Sequence, residues 1–182
     1  MTKFNVQTFA ALLATLLQVG PANKLCGQPI SSNATSFSAS GPEVEGYRLT
    51  ISTSNSTYAV GQFVPLSISL ENLSTNASEV SAGSGFMYHS FQVTAPSGLC
   101  ASMTGYGTNA LYPQGYRITW AQVPAEKSYT RYAALNLLFN LTNTGDYSVM
   151  VSRQVPTRTG PYKEVWVRAG PLKIVITEPQ KP

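Results

Sequence analysis

From Gly46 onward, apolar residues recur at every second position, and that period decides the fold class. Tyr47, Leu49 and Ile51 alternate with Arg48, Thr50 and Ser52, while Val64, Leu66, Ile68 and Leu70 alternate with Pro65, Ser67, Ser69 and Glu71. Successive side chains of a strand point to opposite faces, so each segment offers one apolar and one polar face. Phe91 and Val93 mark a third segment, and residues 117–123, 129–137, 147–153 and 164–177 read as further strands. Turn-forming runs separate them, among them Ala95-Pro96-Ser97-Gly98 and Pro124-Ala125-Glu126-Lys127. Seven or eight short strands at this spacing predict an all-β chain folded as a two-sheet antiparallel sandwich. A competing reading makes 132–139 a helix, because Ala133, Ala134, Leu135, Leu137 and Leu138 are helix formers. The glycine- and tyrosine-rich stretch 99–113 reads as a loop.

The segment before Gly46 has a different character. Lys3 precedes the apolar run Phe9-Ala10-Ala11-Leu12-Leu13-Ala14-Thr15-Leu16-Leu17, followed by Gly20-Pro21-Ala22. This order is that of a secretory signal peptide over residues 1–22, and the run is shorter than the roughly 20 residues that span a bilayer. The expected address is therefore secreted or cell-surface, without stable membrane insertion. Residues 23–45 are serine-rich and lack periodicity, the mark of a linker or an N-terminal arm laid over the domain. The sandwich spans 46–178, and 179–182 form a tail. Outside the reducing cytosol, two cysteines favour a disulfide between Cys26 and Cys100; free or intermolecular thiols are the alternative. On the chain-entropy account such a bridge stabilises the fold by about 4 kcal/mol.

Scarce residue types narrow the chemistry. His89 is the only histidine and Asp146 the only aspartate, so a two-histidine zinc site cannot be assembled and a Ser-His-Asp triad has one possible pair. No nucleophile elbow surrounds any serine. Glu43, Glu45, Glu71 and Glu79 lack the Asp-rich loop that calcium needs. The expectation is a non-catalytic protein with no cofactor and no metal. Asparagines in glycosylation sequons occur at Asn33, Asn55, Asn72, Asn76 and Asn140, against about two expected by chance.

Two short motifs sharpen the fold. Gly145-Asp146-Tyr147-Ser148-Val149-Met150-Val151 resembles the corner that enters strand F of immunoglobulin-like domains, where the tyrosine hydroxyl bonds backbone upstream. Tyr58-Ala59-Val60-Gly61-Gln62-Phe63-Val64 resembles the opening of secreted immunoglobulin-like and macroglobulin-like modules. The resemblance implies an immunoglobulin-like sandwich, with Tyr147 at the corner and Val149 and Val151 in the core. A looser similarity links Asn72-Leu73-Ser74-Thr75-Asn76, Gly105-Tyr106-Gly107 and Arg153 with Gly160-Pro161 to the inhibitory loops of chagasin-type inhibitors of cysteine peptidases. There Leu73 replaces a proline, Asn76 replaces a glycine, and Arg153 lacks the following Pro-Trp.

Charge is uneven along the chain. Residues 25–116 carry one basic against four acidic side chains, whereas 117–182 carry nine against four. The basic part centres on the presumed hairpin 153–163. Loops at one end of a rigid sandwich are common binding sites, and Arg153, Arg158, Tyr162 and Lys163, together with Tyr106 and Tyr112, are the candidate contact residues. Tyrosine contributes contact area at low entropic cost and arginine directed donors. The basic residues are too sparse for nucleic acid. The sequence thus predicts a secreted or surface binding module, contacting an extracellular protein or polysaccharide, alone or as a subunit of a larger surface assembly; the alternative is a chagasin-like peptidase inhibitor.

Overall fold

A computed structural model describes residues 37–83, 85–115, 118–157 and 163–179. The expected signal peptide, Cys26, Asn33, Arg158, Tyr162 and the last three residues lie outside the described residues.

Among the described residues the chain is all-β with two short helices. Its strands are β1 (Ser38–Ser40), β2 (Tyr47–Ser52), β3 (Thr57–Ala59), β4 (Pro65–Asn72), β5 (Ser78–Ser81), β6 (His89–Thr94), β7 (Trp120–Val123), β8 (Ser128–Ala134), β9 (Gly145–Pro156) and β10 (Glu164–Thr177). One sheet has the order β1-β2-β4-β8 and a second the order β3-β10-β9-β6; β5 and β7 form a separate ribbon. Strands β1 and β2 pack across the core against β10. The alternation of β2 and β4 survives intact, with Tyr47, Leu49, Ile51, Leu66, Ile68 and Leu70 all buried. Facing them are Val149, Val151, Val167, Leu172 and Ile174 from β9 and β10.

Among the described residues pairing is antiparallel except at one place. Strand β3 runs parallel to the end of β10, with Thr57 opposite Val175 and Ala59 opposite Thr177. The cause is a crossover: after β2 the chain leaves the first sheet and joins the edge of the second. The buried Tyr58 hydroxyl organises this passage, accepting from the Asn55 N–H at 3.0 Å and bonding the Thr53 hydroxyl, which in turn donates to the Pro65 carbonyl at 2.7 Å. The end of the serine-rich arm also has structure. Ser38–Ser40 pairs with β2 as an edge strand, because an edge position asks for one row of backbone bonds and no buried face.

Two expected features are corrected. The stretch 99–113 contains helix α1 (Gly105–Leu111), capped by Thr104, whose hydroxyl accepts from the Gly107 N–H at 2.9 Å. Gly107 lies against helix α2 (Leu135–Leu138), where a Cβ would come within 2.0 Å of the Leu138 carbonyl oxygen. Here glycine permits close backbone approach, so the residue that argued for a loop belongs to a helix. The strand and helix readings of 129–139 are each partly correct, since β8 ends at Ala134 and α2 follows.

Tyr147 is buried at the start of β9 and donates to the Asn143 carbonyl at 3.0 Å, while Val149 and Val151 enter the core. Tyr147→Phe keeps the ring and removes this bond, so it should lower the unfolding free energy by about 1 kcal/mol in urea titration. Tyr147→Ala also removes the buried ring and should lower it by about 3–5 kcal/mol.

Candidate functional site

Strand β4 ends at Asn72, which continues the inward alternation of Leu66, Ile68 and Leu70 and is fully buried. Its amide nitrogen donates to the carbonyls of Asn76 and Val123, each at 2.9 Å, and of Pro124 at 3.2 Å. Its amide oxygen accepts from the Ser74 N–H at 3.0 Å and the Ser74 hydroxyl at 2.8 Å. One side chain therefore shapes the 73–77 loop and ties it to the end of β7. The Asn72 sequon is corrected accordingly, since the nitrogen a glycan needs is enclosed and engaged. Asn55, Asn76 and Asn140 are exposed.

The ordered loop leads into β5, which pairs with β7 so that Ser78 faces Val123 and Ser81 faces Trp120. Between this ribbon, the 73–77 loop and the end of β9 lies a groove of about 690 Å³. Trp120, 52% exposed, lines it with Asn76, Glu79, Ser78, Pro156 and Thr157. The Tyr47 hydroxyl reaches it from below and bonds the Ser78 hydroxyl. Among the described residues Glu79 has no ion pair. The groove can hold a small ligand or a chain segment, offering an indole face together with amide, hydroxyl and carboxylate groups.

The expected contact residues that are described, Arg153, Lys163, Tyr106 and Tyr112, are not brought together in the groove. Arg153 is 1% exposed inside β9 and is no surface residue. It sits opposite His89 of β6. Its guanidinium donates to the Ser81 carbonyl at 2.7 Å and to His89 Nε2 at 3.2 Å, and lies 4.8 Å from the centroid of the Tyr129 ring. Tyr106 and Tyr112 are exposed on and just after α1, and they do not line the groove. Lys163 is exposed across the base of the turn from Thr157, whose N–H donates to the Lys163 carbonyl at 2.7 Å. The Cys100 backbone pairs with Thr94 in an isolated antiparallel β-bridge and its thiol is not free; the proposed partner Cys26 lies outside the described residues. His89 and Asp146 stand towards opposite ends of β9. Sequence reasoning missed Trp120, because nothing local ties a lone tryptophan on β7 to loops 44 and 37 positions away.

The Arg153 cluster supports the groove wall, since the carbonyl it holds belongs to the residue paired with Trp120. Burial lowers the Arg153 pKa to about 10, countered by Tyr129 and reinforced by Arg131, so the side chain stays charged at neutral pH. Because arginine only donates, His89 Nε2 must be the unprotonated acceptor. Burial, then the charges of Arg153 and Arg131, holds the His89 pKa well below 6.5. Arg131 faces the cluster from β8, its guanidinium donating to the Gly83 carbonyl at 2.9 Å and lying 5.3 Å from the Phe86 ring centroid.

No protein-family model matches the chain, and no curated protein is significantly similar to it.

Two predictions follow from these interior groups. Asn72→Ala strips the buried Val123 carbonyl and the part-buried Asn76 and Pro124 carbonyls of a donor and should cost about 2 kcal/mol in chemical denaturation. Below pH 6.5 the unfolded His89 binds a proton that the folded one refuses. Stability should therefore be intact above 6.5 and fall as pH drops through it, by up to about 1.4 kcal/mol per unit. The decline should be measurably shallower in His89→Gln, whose neutral amide can still accept from Arg153.

Proposed function

We propose that the chain is an immunoglobulin-like, non-catalytic binding module, secreted or displayed at the cell surface, that takes its partner in the groove beside Trp120. The immunoglobulin-like assignment is supported by strand order. The chain begins in one sheet with β2 beside β4, then crosses so that β3 runs parallel to the last strand, and β6, β9 and β10 complete the second sheet. The Tyr147 bond at the entry to β9 supports the same assignment. A Cys26–Cys100 disulfide, fastening the arm to the domain, belongs to this reading.

The observation that carries the binding role is the groove itself. An exposed tryptophan beside polar groups, at the loop end of a packed sandwich, is the composition of a recognition site. Its position modifies the original expectation. The 73–77 loop and Thr157 line the groove, whereas α1 does not. That placement gives the peptidase-inhibitor reading no support, since Gly105-Tyr106-Gly107 opens a helix packed on α2 rather than a loop beside Asn76.

The test is an array of extracellular glycans and matrix proteins probed with the labelled full chain. Saturable binding should weaken at least tenfold in Trp120→Ala and stay unchanged in a Tyr106→Ala, Tyr112→Ala double variant. Binding unaffected by Trp120→Ala would show that the groove is not the site.

A further inference from the structure

We infer that the ligand of this groove is an uncharged saccharide, stacked on Trp120 and hydrogen-bonded by Asn76 and Glu79. The inference rests on the binding role proposed above and goes on to name the ligand chemistry.

The lining meets the two demands that a sugar ring makes. A pyranose has an apolar face of C–H groups and a rim of hydroxyls, each both donor and acceptor. Trp120 offers the complementary flat apolar surface with a polar N–H at its edge, half open to solvent. At the rim, the Asn76 amide supplies a donor and an acceptor together, and the Glu79 carboxylate supplies acceptors only. Neither side chain is consumed by the fold: among the described residues Asn76 uses only its backbone groups and Glu79 has no partner. Their neighbours Ser78 and Ser74, by contrast, are already engaged, Ser78 by Tyr47 and Ser74 by Asn72.

Charge selects within the saccharides. Among the described lining residues Glu79 is the single ionisable side chain apart from the Tyr47 phenol, and no described cation neutralises it. Uronates, sulfated sugars and phosphates would place like charge beside that carboxylate in a partly desolvated site. The basic character of the second half of the sequence does not reach the groove through any described side chain, since Arg153 is enclosed and Lys163 is not among the lining residues. The volume, about 690 Å³, falls in the usual range for small-ligand sites, which suits a short oligosaccharide segment.

A peptide fits the lining less well. Specific peptide capture needs pockets for apolar side chains or an open strand edge for main-chain pairing. Among the described lining residues Trp120 is the one large exposed apolar side chain, so a peptide would find a single anchor there.

The experiment titrates the full chain with neutral tetrasaccharides (cellotetraose, maltotetraose and mannotetraose) to about 10 mM, a range that detects millimolar affinity. Intrinsic tryptophan fluorescence and calorimetry are the readouts. At least one sugar should give a saturable change, weakened tenfold or more in Trp120→Ala, largely restored in Trp120→Phe and unchanged in Trp166→Ala. Thermal melts of each variant confirm folding. Glu79→Gln should admit tetragalacturonate, which the unmodified chain rejects. No saturable response to any neutral sugar, or tighter binding of tetragalacturonate than of the neutral sugars by the unmodified chain, overturns the inference. Array binding that depends on Trp120 but is abolished by protease and not by periodate also overturns it, while leaving the groove as a binding site for protein.

Discussion

The placement of the β5–β7 ribbon depends on an arginine buried without a carboxylate. Enclosing a charge is expensive unless every hydrogen atom it offers finds an acceptor and the charge itself finds compensation. Arg153 meets that demand with neutral groups: a carbonyl from β5, an imidazole from β6 and the face of a tyrosine ring from β8. The compensation is incomplete, since its Nε has no partner among the described residues, and the lowered pKa reflects the same burial. An apolar residue of similar volume could fill the space at equal or better stability. It could not point a donor at Ser81. That bond joins the ribbon to the second sheet, while the ring contact joins both to the first.

Asn72 does the corresponding task at the other wall. Its amide has the donors and acceptors of a short stretch of backbone, so it completes a loop that lacks regular pairing. Asn72 and Arg153 act on the same structure from two sides: Asn72 fixes the loop before β5 and the end of β7, Arg153 fixes the end of β5. The groove between them is accordingly a product of the interior, and its outer residues are free to vary in chemistry without loss of the wall.

Much of this was legible in the sequence. The alternation of β2 and β4 named their buried residues, the bounds 164–177 of β10 coincide with the observed strand, and the Gly-x-Tyr corner placed Tyr147 correctly. Arg153 was legible too, and was misassigned. Tyr147, Val149 and Val151 fall on the inward parity of β9, and two more steps along that parity reach Arg153 and then Val155. Treating arginine as a surface residue overrode the period. Helices α1 and α2 were harder, because seven and four residues are too short to show helical period, and α1 owes its place to contact with α2 and not to propensity. The groove was illegible for a different reason. It joins positions near 47, 76, 120 and 157, and only the tertiary pairing of β5 with β7 makes them neighbours.

The parity argument extends to a pattern across the core. Asn72 follows Leu66, Ile68 and Leu70 on β4, His89 precedes Phe91 and Val93 on β6, and Arg153 follows Tyr147, Val149 and Val151 on β9. In each strand the inward row is apolar through the body of the sandwich and turns polar near one end, which is the same end in all three. A core built for stability alone would continue the apolar rows, since every polar substitution there must be matched by a partner or left as a penalty. Departures from the packing pattern in natural proteins concentrate where function requires them. Here they lie under the ribbon and loop that form the groove, and each spends its hydrogen bonds on holding those pieces or one another. The polar end of the core and the groove above it are thus parts of one construction, in which directional bonds replace the packing that a flat, apolar end would have had.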